Sequence, residues 1–252
     1  MEETISLSTP SGLRLAAIVA REAGNNSAPV VVMCHGFSSG KNSKTNKRFT
    51  EELLRRGFAT FRFDFRGHYD SEGSLEDVTL STGIEDLTTA MNYVKSCSWV
   101  NPNRIGILAT SYGGNVSILY VAERNGVSTM ALKSPVSDYC QVRELQLGPN
   151  GMEEWRAKGY TYVDGDKTKY IFYEDAKSYD TYAEASRIRI PCFITHGDQD
   201  QNVPVLQSKK LAEALSGEVR LEVLEGADHQ YKDERHFNTM VQLIVDWFSQ
   251  KL

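Results

Sequence analysis

A serine near the middle of the chain stands between small residues, at a position suited to a sharp turn. Residues 106–114 read GILATSYGG, so that Ser111 has Ala109 two residues before it and Gly113 two residues after it. A strand-to-helix turn projects a serine hydroxyl above a sheet, and its flanking residues must be small because neighbouring backbone passes within contact distance. The pattern predicts a nucleophilic serine. The alternative is a serine that caps a helix over residues 115–124.

Three other segments combine a predicted strand with polar residues at its end. They read VVVMCHGF (residues 30–37), IPCFITHGDQDQNVP (residues 190–204) and VRLEVLEGADH (residues 219–229). Their order along the chain is the one that serine hydrolases with an α/β sheet use. In that order an oxyanion-binding loop precedes the serine, and an acid and a histidine follow it.

With these motifs, the chain resembles the α/β-hydrolase superfamily, in particular its small serine esterases related to feruloyl and cinnamoyl esterases and to monoacylglycerol lipases. Residues 64–73 (DFRGHYDSEG) also resemble the superfamily segment Asp-x-Arg-Gly-His-Gly-x-Ser. The resemblance covers nearly the whole chain and implies an α/β-hydrolase fold, with a mostly parallel central sheet flanked by helices. Ala109 and Tyr69 depart from it, because both stand where the pattern has glycine.

A serine nucleophile needs a base within hydrogen-bond reach and a carboxylate that orients the base. His229 is the best candidate for the base, because it follows a predicted strand near the end of the chain and comes after the candidate acids. Structural roles are expected for the remaining histidines, which are His35, His68, His196 and His236.

Three aspartates compete for the role of the acid. Asp198 and Asp200 lie in one segment after a predicted strand, and Asp138 follows an earlier strand from which some hydrolases supply the carboxylate. The superfamily pattern His-Gly-x-x-Asp-x-x-Val-Pro implies that Asp200 is the acid. Asp198 is then expected to be a turn residue whose carboxylate accepts hydrogen bonds from local backbone N–H groups.

The predicted oxyanion hole consists of two backbone N–H groups, that of Tyr112 after the nucleophile and that of Phe37 after the His-Gly pair. In the expected cycle Ser111 attacks an acyl carbonyl, His229 gives a proton to the leaving alcohol, and water hydrolyses the acyl-enzyme. This chemistry requires no metal and no organic cofactor.

Composition limits the classes of protein that fit. The 252 residues carry a formal net charge of −5 without a long basic cluster, which argues against nucleic-acid partners. A chain of this length buries one substantial core, so a single α/β-hydrolase domain over residues 1–252 is expected. Residues 1–3 lack the basic region of a signal peptide, and no apolar run is long enough to span a bilayer, so we expect a cytoplasmic protein. The four cysteines lack metal-like spacing and are expected to be free thiols.

Strands and helices alternate along most of the chain, which indicates a mostly parallel sheet. Residues 82–85 (TGIE) have capping-box spacing and predict the start of a helix. A closing helix is predicted from the apolar spacing of residues 237–248. The predicted strands are residues 4–8, 13–20, 30–33, 58–63, 127–132, 190–195 and 219–224.

The alternation fails over residues 137–187, a length that is rarely a structureless loop in a compact domain. We expect this segment to be a cap subdomain inserted over the pocket. It holds nine of the chain's aromatic residues, among which Trp155, Tyr160, Tyr162 and Tyr173 are predicted substrate contacts. The alternative is that these aromatic side chains form a core of the cap itself.

Together these residues predict a serine carboxylesterase that cleaves small to medium acyl esters through Ser111, His229 and Asp200. An acyl thioesterase remains open, as does an aminopeptidase in which Glu153 or Glu154 holds a substrate ammonium. A non-catalytic ligand-binding module is a further alternative, disfavoured because every triad position is filled. The expected partner is a small-molecule ester, and the sequence leaves open whether the chain acts as a monomer or a homodimer.

Overall fold

The computed structural model describes residues 1–24, 27–163 and 165–252, which form ten strands and eight α-helices. The strands are β1 (Glu2–Ser8), β2 (Arg14–Ala20), β3 (Ala28–Cys34), β4 (Ala59–Phe63), β5 (Val100–Thr110), β6 (Thr129–Lys133), β7 (Tyr160–Val163), β8 (Asp166–Lys169), β9 (Cys192–Gly197) and β10 (Val219–Leu224). The helices are α1 (Lys44–Arg55), α2 (Leu80–Ser96), α3 (Tyr112–Glu123), α4 (Tyr139–Lys158), α5 (Ile171–Ala176), α6 (Thr181–Ala185), α7 (Val205–Ala214) and α8 (Glu234–Lys251).

Eight of the strands form one sheet, in the order β1-β2-β4-β3-β5-β6-β9-β10. β1 pairs antiparallel with β2, and β2 pairs antiparallel with β4. All neighbouring pairs from β4 to β10 in this order are parallel. The predicted α/β fold with a mostly parallel sheet is therefore confirmed. Because parallel strands point the same way, the loops after β3, β5, β6, β9 and β10 meet at one edge of the sheet.

Helices cover both faces of the sheet, since successive side chains of a buried strand point to opposite sides. In β3, Val30 and Val32 belong to one apolar cluster, whereas Val31 and Met33 belong to a second. Helices α2 and α3 supply the first cluster, and α1 and α8 supply the second. A sheet packed on both faces gives the loops at its carboxyl edge a rigid support.

The predicted elements lie close to their expected positions, and β10 has the predicted bounds. The prediction that α2 starts with a cap at Thr82 is wrong. Thr79 is the cap, because its hydroxyl accepts a hydrogen bond from the Thr82 N–H at 3.2 Å. The Thr82 hydroxyl in turn accepts the Thr79 N–H at 2.8 Å. Thr82 is thus the third helical residue of a capping box, and the observed cap lies three residues before the predicted one.

The chain between β6 and β9 leaves the main sheet. It contains α4, the two-stranded sheet of β7 and β8, and the short helices α5 and α6. Asp138 caps α4, which is interrupted at Gly148 (φ 63°, ψ 176°) directly before Pro149. We refer to this part of the chain as the inserted segment (residues 137–187), and its function as a cap remains a prediction. In the described part of the chain, no helix combines the length and apolarity that crossing a membrane requires.

Candidate active site

Ser111 forms the turn between β5 and α3. Its backbone has φ 50° and ψ −111°, a conformation that costs a non-glycine residue free energy. Backbone hydrogen bonds hold the turn, because the Ser111 N–H donates to the Lys133 carbonyl at 3.1 Å and its carbonyl accepts the Val136 N–H at 3.2 Å. Ser111 occupies the N-cap position of α3, yet its side chain makes no capping hydrogen bond. The hydroxyl is therefore available for chemistry.

Small residues flank the serine because backbone from β3 passes beside the turn. A Cβ atom added to Gly113 would lie 2.5 Å from the Cys34 carbonyl oxygen and 2.6 Å from that of His35. Ala109 is fully buried in β5 and pairs with Cys34 across the sheet. The turn therefore accommodates a methyl group where the superfamily pattern has its first glycine, whereas glycine is required at residue 113.

Asp200 and His229 meet at the carboxyl edge of the sheet, in the loops after β9 and β10. His229 Nδ1 lies 2.6 Å from Asp200 Oδ2. Asp200 Oδ1 accepts the backbone N–H groups of Asn202 at 2.9 Å and Val203 at 2.8 Å. Oδ2 also lies 3.0 Å from His196 Nε2. Both carboxylate oxygens are thus fixed, and Asp200 orients the His229 imidazole through Nδ1, which leaves Nε2 to exchange a proton.

The protonation states of this pair suit general base chemistry. Burial opposes ionisation of Asp200, but hydrogen bonds with His196 and His229 outweigh it and hold the carboxyl pKa well below its usual value. Burial lowers the pKa of His229 from its ordinary value, although the Asp200 carboxylate acts in the opposite direction. At neutral pH the pair is therefore a carboxylate beside a neutral imidazole, which is the form that accepts a proton.

The competing aspartates have other partners. Asp198 Oδ1 accepts the Gly226 N–H at 2.7 Å, as expected for a turn residue. Asp138 Oδ1 accepts the Gln141 N–H at 2.9 Å and so caps α4. Among the three candidates, Asp200 is the carboxylate that the fold brings to His229.

Other histidines support loops around the site. His35 Nε2 accepts the Phe65 N–H at 3.0 Å, so Nδ1 carries the proton and donates to the Gly36 carbonyl at 2.8 Å. Burial lowers the pKa of His35 to about 3, so the ring stays neutral. The His68 ring packs edge-on against His35 and against Phe37, with centroids 4.9 Å and 5.8 Å apart. These contacts fix the loop that follows β3.

The two backbone N–H groups predicted for the oxyanion hole lie close to the serine. Among the described residues, nothing accepts a hydrogen bond from the N–H of Phe37 or of Tyr112. A Cβ atom added to Gly36 would lie 3.4 Å from Ser111 Cβ, so the Phe37 loop passes directly beside Ser111. The Phe37 and Tyr112 rings pack edge-on at 5.7 Å, and the Tyr112 hydroxyl donates to the Thr79 carbonyl at 2.7 Å. Packing thus fixes two donors that an oxyanion can use.

Tyr69 stands where the superfamily pattern has glycine, and its backbone adopts the left-handed φ of 41°. The tyrosine ring lies over Gly40, where an added Cβ would come within 2.5 Å of Tyr69 Cδ2. Tyr69 therefore packs beside the loop after β3, although the residue is 76% exposed to solvent.

Ser111 and His229 line one cavity of about 210 Å³. The inserted segment contributes Tyr139, Val142, Arg143, Gln146 and Val163 to its wall. The loop after β3 and the first turn of α1 contribute a polar wall of Ser38, Ser39, Ser43, Thr45 and Asn46. Among the lining residues that the structure describes, the cationic side chains are Lys133 and Arg143, and no carboxylate is present.

The four aromatic residues predicted to contact substrate lie outside the described lining of this cavity. Trp155 is buried within the inserted segment, and its indole N–H donates to the Thr168 carbonyl at 3.0 Å. The Tyr173 ring packs against Trp155. Tyr160 and Tyr162 lie on β7 and are 39% and 63% exposed. These contacts fit the alternative in which the aromatic side chains hold the inserted segment together.

Lys133 is a buried residue of the site that the sequence analysis did not single out. It is the last residue of β6, and its side chain is 4.9 Å from the centre of the Tyr231 ring. Lys133 Nζ donates to the His229 carbonyl at 2.8 Å. The available signal was a charged residue directly after the predicted strand of residues 127–132, at the end of a buried strand from which the next loop begins. In the described part of the chain, no cluster of side chains is suited to holding a metal ion.

The sheet order, the turn at Ser111 and the loops that meet there define an α/β hydrolase. The chain belongs to the prolyl oligopeptidase family, whose sequence pattern it matches over residues 45–252.

Individual relatives are distant in sequence. An uncharacterized 31.7 kDa protein of the traX-finO intergenic region of Escherichia coli is 24% identical over 268 residues, which cover 91% of this chain and 93% of the relative. The uncharacterized peptidase YuxL of Bacillus subtilis is 23% identical, over 99% of this chain but 39% of YuxL. The solved structure of Est1E from Butyrivibrio proteoclasticus with ferulic acid bound has a TM-score of 0.87 at 23% identity, covers 98% of each chain and shows the shared fold. The protein is therefore a hydrolase of the esterase or peptidase type.

Proposed function

We propose that this protein is a serine ester hydrolase in which Ser111 is the nucleophile, His229 the general base and Asp200 the group that orients the base. The observation that carries the proposal is the 2.6 Å contact between His229 Nδ1 and Asp200 Oδ2, with His229 and the strained Ser111 turn lining one cavity. A strained nucleophile turn and an oriented neutral imidazole are the two requirements for activating a serine hydroxyl.

The reaction follows from these groups. An ester carbonyl accepts hydrogen bonds from the Phe37 and Tyr112 N–H groups, which stabilise the negative charge as Ser111 Oγ attacks the carbonyl carbon. His229 Nε2 takes the serine proton and gives it to the leaving alkoxide as the C–O bond breaks. A water molecule then attacks the acyl-enzyme, His229 takes its proton, and return of that proton to Ser111 releases the carboxylic acid.

The charge of the cavity favours an ester over a peptide with a free amino terminus. A buried ammonium needs an anionic partner, and the described lining residues include two cations and no carboxylate. Glu154 pairs instead with Lys158 in a solvent-exposed ion pair, and Glu153 is also exposed. Neither glutamate supports an aminopeptidase site.

The inserted segment fits the role of a cap that limits the acyl group, since five of its side chains line the cavity. Val136, Val142 and Val203 give one part of the wall an apolar surface for an acyl chain. The ferulic acid bound to Est1E makes a hydroxycinnamoyl ester a rational test substrate for this chain.

A comparison of matched substrates tests the reaction class. We expect the purified protein to hydrolyse p-nitrophenyl acetate and a methyl hydroxycinnamate, with higher kcat/KM than for an alanyl p-nitroanilide. An acyl-coenzyme A thioester and a longer p-nitrophenyl ester are measured in parallel. Preference for the anilide would favour a peptidase, and preference for the thioester would favour a thioesterase. Ser111→Ala controls for turnover that does not depend on the candidate nucleophile.

A further inference from the structure

Lys133 contacts both halves of the proposed active site, through its main chain and its side chain. Its carbonyl accepts the Ser111 N–H at 3.1 Å, and its Nζ donates to the His229 carbonyl at 2.8 Å. The residue is the last one of β6, where it pairs with Thr110 of β5 and Thr195 of β9. Lys133 is therefore anchored by strands on both sides.

The lysine ammonium is nearly inaccessible to solvent, since the residue is 2% exposed. In the ranges that the structure describes, no carboxylate oxygen lies within ion-pair distance of Nζ. The face of the Tyr231 ring, 4.9 Å away, and the His229 carbonyl are its neighbours. A buried cation without a close anion is costly to the fold, so it calls for an explanation in terms of function.

We propose, on the basis of the ester hydrolase function above, that Lys133 is a positioning residue that holds the His229 loop against the Ser111 turn. Because Lys133 is anchored in β6, its Nζ holds the His229 main chain through the carbonyl. His229 is then held at two points, by Lys133 at its main chain and by Asp200 at Nδ1 of its ring. Small displacements of a base relative to its nucleophile reduce turnover strongly, because proton transfer requires hydrogen-bond contact.

The same ammonium affects the charge of the imidazole. Burial is the main cause that lowers the pKa of His229, and the nearby Lys133 cation lowers it further because it disfavours the imidazolium form, as does His196 to a smaller extent. The carboxylate of Asp200 acts in the opposite direction. Burial lowers the pKa of Lys133 itself to about 8, although Asp200 and Asp228 favour its charged form. Lys133 is therefore still protonated at pH values where His229 titrates. The Lys133 cation therefore extends the pH range in which the His229 imidazole is neutral towards lower pH.

The pH profile of serine reactivity tests the proposal, because a purely structural residue would not move it. The second-order rate constant for labelling of Ser111 by a fluorophosphonate, and kcat/KM for p-nitrophenyl acetate, are measured from pH 4 to 8 in wild type, Lys133→Met and Lys133→Arg. For Lys133→Met we expect a loss of about 10²-fold at pH 7. We also expect the midpoint of the acid limb to rise by about one pH unit. Lys133→Arg keeps the cation and should retain the wild-type midpoint.

Lys41→Met is the matched control. Lys41, in the loop after β3, is as buried as Lys133, but it pairs with the Asp64 carboxylate, which follows β4. The Lys41→Met variant should have a lower free energy of unfolding, and the midpoint of the acid limb of its pH profile should equal that of the wild type. Methionine has nearly the length of lysine, and Lys133→Gln replaces it if Lys133→Met does not fold. An unshifted midpoint in the uncharged Lys133 variant, or an equal shift in Lys41→Met, would overturn the inference and leave the proposed function standing. A wild type that neither reacts with the probe nor cleaves the ester would overturn both.

Discussion

The substitution Asp200→Asn has a consequence that follows from the hydrogen bonds of each carboxylate oxygen. Oδ1 accepts two backbone N–H groups, from Asn202 and Val203, at 2.9 and 2.8 Å. An asparagine must therefore keep its carbonyl oxygen at this position, and its NH₂ group takes the place of Oδ2. That group then faces His229 Nδ1, which is 2.6 Å from Oδ2 in the wild type.

Two donors cannot share this contact, so His229 Nδ1 must accept from the amide and the imidazole proton moves to Nε2. In that tautomer Nε2 cannot accept the Ser111 proton. We expect kcat for ester hydrolysis to fall by about 10⁴, by comparison with the same change in other serine hydrolases. This loss equals about 5.5 kcal/mol in the activation free energy. Steady-state hydrolysis of p-nitrophenyl acetate at pH 7.5 measures it, with circular dichroism to confirm folding.

Asp138→Asn and Asp198→Asn are the matched controls. Asparagine caps a helix as well as aspartate does, so Asp138→Asn should preserve both α4 and activity. Asp198 accepts the Gly226 N–H, and asparagine can do the same through its side-chain carbonyl. A folded Asp200→Asn variant with turnover within tenfold of wild type would refute the reasoning, as would a larger loss in either control.

Two other substitutions test the turn and the cavity wall. Gly113→Ala would bring a methyl group within 2.6 Å of the Cys34 and His35 carbonyl oxygens, so we expect a lower unfolding free energy in urea titrations and strongly reduced ester turnover. Wild-type stability and activity would show that the close approach is not required. Val142→Ala enlarges the cavity and should raise the octanoyl-to-acetyl ratio of kcat/KM by about tenfold, whereas Tyr162→Ala, on an exposed strand, should leave it unchanged. Equal ratios in both variants would exclude Val142 from acyl selection.

The sheet and its helices were predictable because their signals are local. Residues 219–224 alternate apolar with charged residues over most of their length and are followed by a polar turn, and the period of the apolar residues separates strands from helices. The start of α2 was not predictable with the same accuracy, because Thr79 and Thr82 both carry the hydroxyl that a cap requires. Their roles depend on which backbone N–H lies within reach of each hydroxyl.

The residues at the site likewise include some that a local sequence motif indicates and others whose position depends on the fold. Ser111, Asp200 and His229 stand in short motifs at strand ends, so the sequence could nominate them. The wall of the cavity depends on how the inserted segment folds back, which no local pattern encodes. Trp155 and Tyr162 therefore looked like candidates for substrate contact, although neither side chain lies in the described lining. The pairing of Lys133 with the His229 carbonyl joins residues 96 positions apart and is visible only in the fold.

Identification of the residue that a fluorophosphonate modifies tests the central claim most directly. The protein is incubated with the probe at pH 7.5, digested and analysed by tandem mass spectrometry, with Ser111→Ala and a heat-denatured sample in parallel. We predict one stoichiometric adduct on Ser111 in the folded wild type, no adduct in Ser111→Ala, and parallel loss of ester hydrolysis. An adduct on another residue, or a folded wild type that hydrolyses esters without modification of Ser111, would contradict the assignment of Ser111 as the nucleophile.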